Sequence, residues 1–241
     1  MLKKIKNILF GDYSPDIALR YLPVVDIITK NKLNNSSILE VGSGDYGITT
    51  YLKKKITGLD IEFSGEESRR LEKIKYQGGK FPFMSGQFDL ILTVDSLEHI
   101  APAQRRNHIN EIMRVARSGV IFVVPCGQEA ARHDKKLQAY FYKINGYYDR
   151  FLQEHIANGL PQLEELIEFI NQGAEANGKI IKIIKQKRLL NIYLREALMK
   201  CKISHSVGLS IVYYLGLILV PARRLLNFGH CYRYLIYVKI I

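Results

Sequence analysis

The stretch ILEVGSGDYGITTYL, Ile38 to Leu52, constrains the fold more than any other part of the chain. An apolar run that carries the acid Glu40 leads into Gly42, Gly44 and Gly47, a G-x-G-x-x-G pattern. Glycine lets the backbone turn tightly and lets a ligand approach it. A helix beginning just after the turn would offer its unpaired N–H groups to a negative group. By itself the pattern fits a plain strand–helix turn as well as a cofactor loop.

The rest of the chain repeats the alternation. Ser37–Val41, Ile56–Ile61, Phe88–Val94 and Gly119–Pro125 read as strands, and Ile48–Lys55 and Pro102–Arg117 as helices. Strand and helix in turn imply a parallel sheet covered on both faces. Before them, Ser14 and Pro15 suit the start of a helix within an N-terminal segment, 1–34. After Pro125, residues 126–161 are rich in tyrosine and mixed charge with little strand character. A helix is expected from Pro161 to Gly173 or Gly178, a strand at Lys179–Lys187, and helices over Arg188–Lys200 and Val207–Leu226. The β-branched and aromatic ending CYRYLIYVKII suits a final strand.

The 241 residues, 47% hydrophobic, suit one globular domain with insertions and exclude a disordered chain. Lysine and arginine total 35 against 23 acids, a net charge of +12 that favours acidic partners without choosing among them. The basic groups are scattered and not interleaved with aromatics, so nucleic acid is not the expected partner. Cys126, Cys201 and Cys231 are far apart, which argues against a disulfide framework or a cysteine zinc site. No metal ligand is assigned, and a reducing cytoplasm is the expected compartment. The basic start MLKKIKNILFGDYSPD is too interrupted for a signal peptide. The uncharged run within Val207–Ala222 falls short of the roughly 20 residues a spanning helix needs. It reads as a buried helix, or alternatively as a peripheral contact with the inner membrane face through 207–226.

Three features sharpen the turn. Glu40 before the glycines suits an ammonium group better than a pyrophosphate, which it would repel. Asp60 ends the next strand, where a carboxylate accepts hydrogen bonds from ribose hydroxyls. Asp95, Glu98 and His99 follow the Phe88–Val94 strand. With these residues, ILEVGSGDYG, ITGLDI, FDLILTVDSLEHI and GVIFVVP together resemble the class I S-adenosylmethionine-dependent methyltransferases. The resemblance is closest to the small-molecule type with an LEH segment, and YRYLIYV resembles that family's last strand.

The resemblance implies an α/β Rossmann-like three-layer sandwich. Its sheet is mostly parallel with an antiparallel last strand, and helical insertions lie in the C-terminal half. It implies S-adenosyl-L-methionine as cofactor, held by a core of residues 35–125. Glu40 would face the methionine, and Gly42, Ser43 and Gly44 would pass under it, with Gly47 in the adjoining turn. Asp60 would bond the ribose, Ile61 would lie against adenine, and Val94 and Asp95 would line the site. Residues 61–87 depart from the family, being short for a helix plus a strand and lacking the acid that recognises adenine. Backbone near Gly79–Phe81 is expected in its place.

Residues 126–161 would form a lid or acceptor region, and 189–230 a helical insertion before the last strand. His99 is one candidate catalytic base, and Glu154 with His155 a candidate acid–base pair. His133 and Asp134 read as solvated. The expected acceptor is a small molecule, a sugar or a lipid-linked glycan, methylated on oxygen. The alternative is a non-catalytic cofactor-binding or membrane-associated module.

Overall fold

The computed structural model describes residues 13–65 and 68–241, so most of the basic start lies outside the described residues. Its framework is one seven-stranded sheet in the order β3-β2-β1-β4-β5-β7-β6. The first five strands are β1 (Ile38–Val41), β2 (Ile56–Asp60), β3 (Leu71–Lys75), β4 (Phe88–Val94) and β5 (Ala116–Pro125). They pair in parallel. β7 (Cys231–Ile240) runs antiparallel between β5 and β6 (Ile181–Asn191). All four residues of β1 and six of the seven in β4 are buried, as strands covered on both faces must be.

Side chains that alternate along these strands feed two cores. On one face Ile38, Leu90, Leu92, Ile121 and Leu235 pack under α1 (Pro15–Lys30), which contributes Ala18, Val24, Ile27 and Ile28. On the other, Leu39, Ile91, Phe122 and Ile236 pack under α3 (Pro102–Val115) and α6 (Leu163–Ala176). Gly173 lies inside α6 and does not end it. An added Cβ there would stand 3.1 Å from Met113 Cγ and 3.4 Å from Asn110 Cα, so the two helices touch at that point.

Several boundaries differ from the sequence reading. The helix expected over Ile48–Lys55 is the single turn α2 (Thr49–Leu52), ended by Lys53 in the left-handed region. Arg188–Asn191 belongs to β6, so α7 begins later, Ile192–Ile203. The tyrosine-rich stretch forms α4 (Gly127–Asn145) and α5 (Arg150–Asn158). The Val207–Leu226 segment is not one buried helix: α8 (Val207–Leu215) gives way to 3-10 turns at Gly216–Leu219 and Arg223–Leu226. Ile211, Val212, Leu215, Ile218 and Leu219 are all exposed. Among the described residues no helix is long and apolar enough to cross a membrane.

One buried ion cluster joins the N-terminal helix to the carboxyl ends of β4 and β5. Asp95, just past β4 at φ +48°, accepts from Arg233 Nε of β7 at 2.7 and 2.8 Å, and from Arg20 Nη1 of α1 at 3.0 Å. Burial would raise the Asp95 carboxyl, but the two arginines outweigh it and hold it well below the usual carboxylate range. Arg233→Ala is expected to cost about 3–5 kcal/mol in urea unfolding, because it strands a buried charge. Arg117→Ala, which breaks the exposed pair with Asp89, is expected to cost less than about 1 kcal/mol. Equal losses in the two variants would contradict this.

Candidate active site

At the carboxyl ends of β1 and β2, the turn 42–47 is held from beneath and from the side. Gly42, Gly44 and Gly47 all have positive φ. Two also have no room for a side chain: a Cβ on Gly42 would fall 2.2 Å from Ser96 Oγ, and one on Gly47 2.3 Å from Glu40 Oε2. Glu40 is fully buried below the turn. Its Oε2 accepts from the Ile48 N–H at 2.7 Å and its Oε1 from the Tyr21 hydroxyl at 2.8 Å. Burial pushes its carboxyl up to about 7, only partly offset by the Ile48 and Tyr21 hydrogen bonds. Asp60 braces the turn from the side, with Oδ2 accepting from Gly44 N at 2.8 Å and Oδ1 from Ile61 N at 2.7 Å. Ile61 beside it is 56% exposed, an open apolar surface. In the stretch expected near an adenine, the Phe81 N–H donates to Glu111 Oε2 at 2.7 Å, and Gly78 to Lys80 are exposed.

A cavity of about 680 Å³ opens beside the turn. Gly42, Ser43, Gly44, Val94 and Asp95 line one side, and Arg20 stands over it from α1. Glu98, His99 and His155 line the other, with Phe141, Tyr147 and Phe151 of the α4–α5 pair. A turn of 3-10 helix, Leu97–His99, sets Glu98 and His99 just past β4.

The expected Glu154–His155 pair does not form. Glu154 Oε2 lies 2.7 Å from His99 Nδ1, and His155 Nδ1 lies 2.8 Å from Asp134 Oδ2. Neighbours on a helix point about 100° apart, so the two reach different partners. Asp134 is not solvated either. It is fully buried and also accepts from Arg195 Nη1 at 2.7 Å and the Tyr232 hydroxyl at 2.8 Å. Burial would raise its carboxyl, yet His155, Arg195 and Tyr232 hold it below its ordinary value. His133 is buried against Glu196. His99 is held below its ordinary value by burial and by His155, whose ring centre is 4.8 Å away. Glu98 is 1% exposed, and burial together with Asp95 raises its carboxyl well above the ordinary value.

Arg20, Arg233 and Arg195 escaped the sequence reading, and Asp134 was read as solvated. For Asp134 a signal existed: it falls on the same helical face as Ala130 and Leu137, the buried face of α4. An acid there needs buried partners.

The Glu40 carboxyl sets a pH dependence. Between its ordinary 4.5 and about 7 the folded chain keeps a proton that the unfolded chain has lost. Stability is therefore lost as pH rises through this window. The Tm of the protein minus that of Glu40→Gln is expected to fall between pH 4.5 and pH 7. A difference that stays constant across the window would contradict the assignment.

Residues 39–124 match the methyltransferase domain family. Norajmaline N-methyltransferase of Rauvolfia serpentina is 29% identical over 45% of this chain, which spans only 41% of that relative's length. Among solved structures, 1,6-didemethyltoxoflavin-N1-methyltransferase of Burkholderia thailandensis, with bound S-adenosylhomocysteine, superposes with a TM-score of 0.51 at 13% identity. It covers 92% of this chain and 77% of its own. Magnesium protoporphyrin IX methyltransferase of Synechocystis PCC 6803, also with bound S-adenosylhomocysteine, scores 0.52 at 10% identity, covering 92% and 82%. The cyclase SpnF scores 0.50 at 16% identity, covering 90% and 80%. The fold is shared by all three. Glycine turn, sheet order and family match agree: residues 39–124 of this chain resemble a methyltransferase domain, on the fold these solved structures share.

Proposed function

We propose that the protein transfers a methyl group from S-adenosylmethionine to an oxygen of a small-molecule, sugar or lipid-linked glycan acceptor. One observation carries the reading: a single cavity joins the glycine turn to the Glu98, His99 and His155 wall. Two of the solved relatives hold S-adenosylhomocysteine, which supports the cofactor.

On this reading Gly42, Ser43 and Gly44 pass under the cofactor, and Val94 and Asp95 line its site. Asp60, already fixed by the Gly44 and Ile61 N–H groups, meets the ribose hydroxyls, and adenine lies on Ile61. Arg20, steadied by Asp95, offers a cation to the methionine carboxylate. Glu40 and Gly47 work from below, holding the turn's shape. The sulfonium is already an activated leaving group, so alignment of the acceptor supplies most of the rate. An acceptor hydroxyl must also lose its proton, and His99 and His155 face that part of the cavity. Glu154 and Asp134 fix the ring of each through Nδ1. The exposed rings of Tyr147 and Phe151 suit the flat face of a sugar or an aromatic acceptor.

Calorimetric titration with S-adenosylhomocysteine is expected to show one site per chain. Asp60→Ala should weaken it about tenfold or more, the loss of a hydrogen bond to a charged group. No heat at millimolar ligand would overturn the cofactor assignment. Tritiated methyl transfer into fractionated cell extract then identifies the acceptor. Label found only on nitrogen or carbon would overturn the choice of oxygen.

A second reading, a contact module, is favoured by the exposed apolar side chains of α8 and the turn after it, followed by Arg223 and Arg224. It predicts flotation with anionic vesicles and loss of flotation in Ile211→Ser/Ile218→Ser. Protein that stays wholly in the soluble fraction counts against it.

A further inference from the structure

The wall opposite the glycine turn has an unusual make-up. Glu98, His99 and His155 each present one ligating atom, and all three atoms lie within 4.8 Å of one another. Both imidazoles are already oriented by a carboxylate on Nδ1, which leaves Nε2 as the remaining ring nitrogen. Each of those carboxylates has its own arginine: Asp134 is paired with Arg195 at 2.7 Å and Glu154 with Arg150 at 3.1 Å. Carboxylate, histidine and then a free Nε2 is the arrangement by which proteins orient histidine toward a metal.

Glu98 supplies the independent observation. It is 1% exposed, and its Oε2 has no hydrogen-bond partner among the described residues. Its Oε1 stands 3.9 Å from His155 Nε2, too far for a hydrogen bond. Two ligands on one tetrahedral ion at about 2.1 Å are themselves about 3.4 Å apart, so the three side chains, whose ligating atoms lie within 4.8 Å, would draw together on a shared cation. A buried carboxyl with an unmatched oxygen is costly, and a divalent ion that displaced its proton would satisfy that oxygen.

We infer that Glu98, His99 and His155 form a binding site for a divalent transition-metal ion, with its open positions facing the acceptor cavity. Two imidazoles and one carboxylate suit Zn²⁺, Mn²⁺, Fe²⁺ or Co²⁺ better than Mg²⁺ or Ca²⁺, which prefer all-oxygen shells. Three protein ligands leave positions for an exogenous oxygen. The sequence reading assigned no metal ligand, and this proposal departs from it. The cysteine spacing on which that reading stood says nothing about a site built from histidine and glutamate.

The site's role in the reaction rests on the methyl-transfer reading, while the site itself does not. In that reaction the ion would hold the acceptor hydroxyl oxygen and ease loss of its proton to solvent, with His99 and His155 serving as ligands in place of the base role. The oxygen's electron pair forms the O–CH₃ bond as the S–CH₃ bond breaks, and the sulfonium leaves as a neutral thioether. Lowering the pKa of the bound hydroxyl is the ion's contribution. The acceptor class is thereby narrowed to one able to chelate, a vicinal diol or a catechol-like pair of hydroxyls.

The test uses the full chain stripped with a chelator, then dialysed against micromolar Zn²⁺, Mn²⁺ or Co²⁺ and assayed for bound metal. One ion per chain is expected, and Co²⁺ should show visible d–d bands. Glu98→Gln and His155→Ala should abolish stoichiometric binding. Asp134→Asn should weaken it about 10- to 100-fold, as loss of such an orienting partner does. If these buried variants fail to fold, half-exposed His99→Gln takes their place, and Zn²⁺ should still raise the Tm of the unmutated chain. No stoichiometric ion in the unmutated chain, or binding that survives in folded His99→Gln and Glu98→Gln, overturns the site. S-adenosylhomocysteine binding without metal would sink this inference alone. Metal without S-adenosylhomocysteine would leave the site standing and sink the methyl-transfer reading.

Discussion

Asp95 is where the molecule is tied together. Its carboxylate lies past β4, at the middle of the sheet, and its two arginines come from the first helix and the last strand described. Segments at opposite ends of the sequence thus meet over the carboxyl edge of the sheet, where ligands of open α/β folds bind. Burying three charged groups is expensive, and hydrophobic residues of similar volume could have filled the space. Here the charges also fix Arg20 over the cavity and set Asp95 in a left-handed conformation that turns the chain toward Glu98 and His99.

The fold was legible where burial on both faces makes a strand a continuous apolar run, as in β1, β4 and β5. The glycine turn was legible because its backbone needs positive φ at fixed positions, and glycine marks these. β3 was not, since LEKIK alternates charged and apolar side chains as an exposed sheet edge does, and those charges also protect the edge. The single turn α2 was overcalled because its apolar spacing continues past Lys53, where the backbone reverses.

The candidate site was legible only on its cofactor side, which is built from consecutive residues near Gly42. The opposite wall is assembled from α4, α5, α7, β7 and the turn after β4. Which histidine meets which acid depends on helix rotation and packing, so neighbours such as Glu154 and His155 part company. Asp134 gathers His155, Arg195 and Tyr232 into one buried knot. A satisfied polar network of this kind holds its members in one geometry, so this wall is a rigid surface. Tyr147 and Phe151 are its more exposed members.

The passage from β2 to β3 has a consequence for how the protein would be vacated. Parallel neighbours are usually joined by a crossover of a dozen or more residues, commonly helical. Here Asp60 and Leu71 end and begin adjacent strands, and the described residues between them form no helix. Ile61, at the sheet's carboxyl edge there, is correspondingly exposed. An adenine resting there has water on one face. On the proposed placement, adenine would leave from this open edge without disturbing the knot around Asp134.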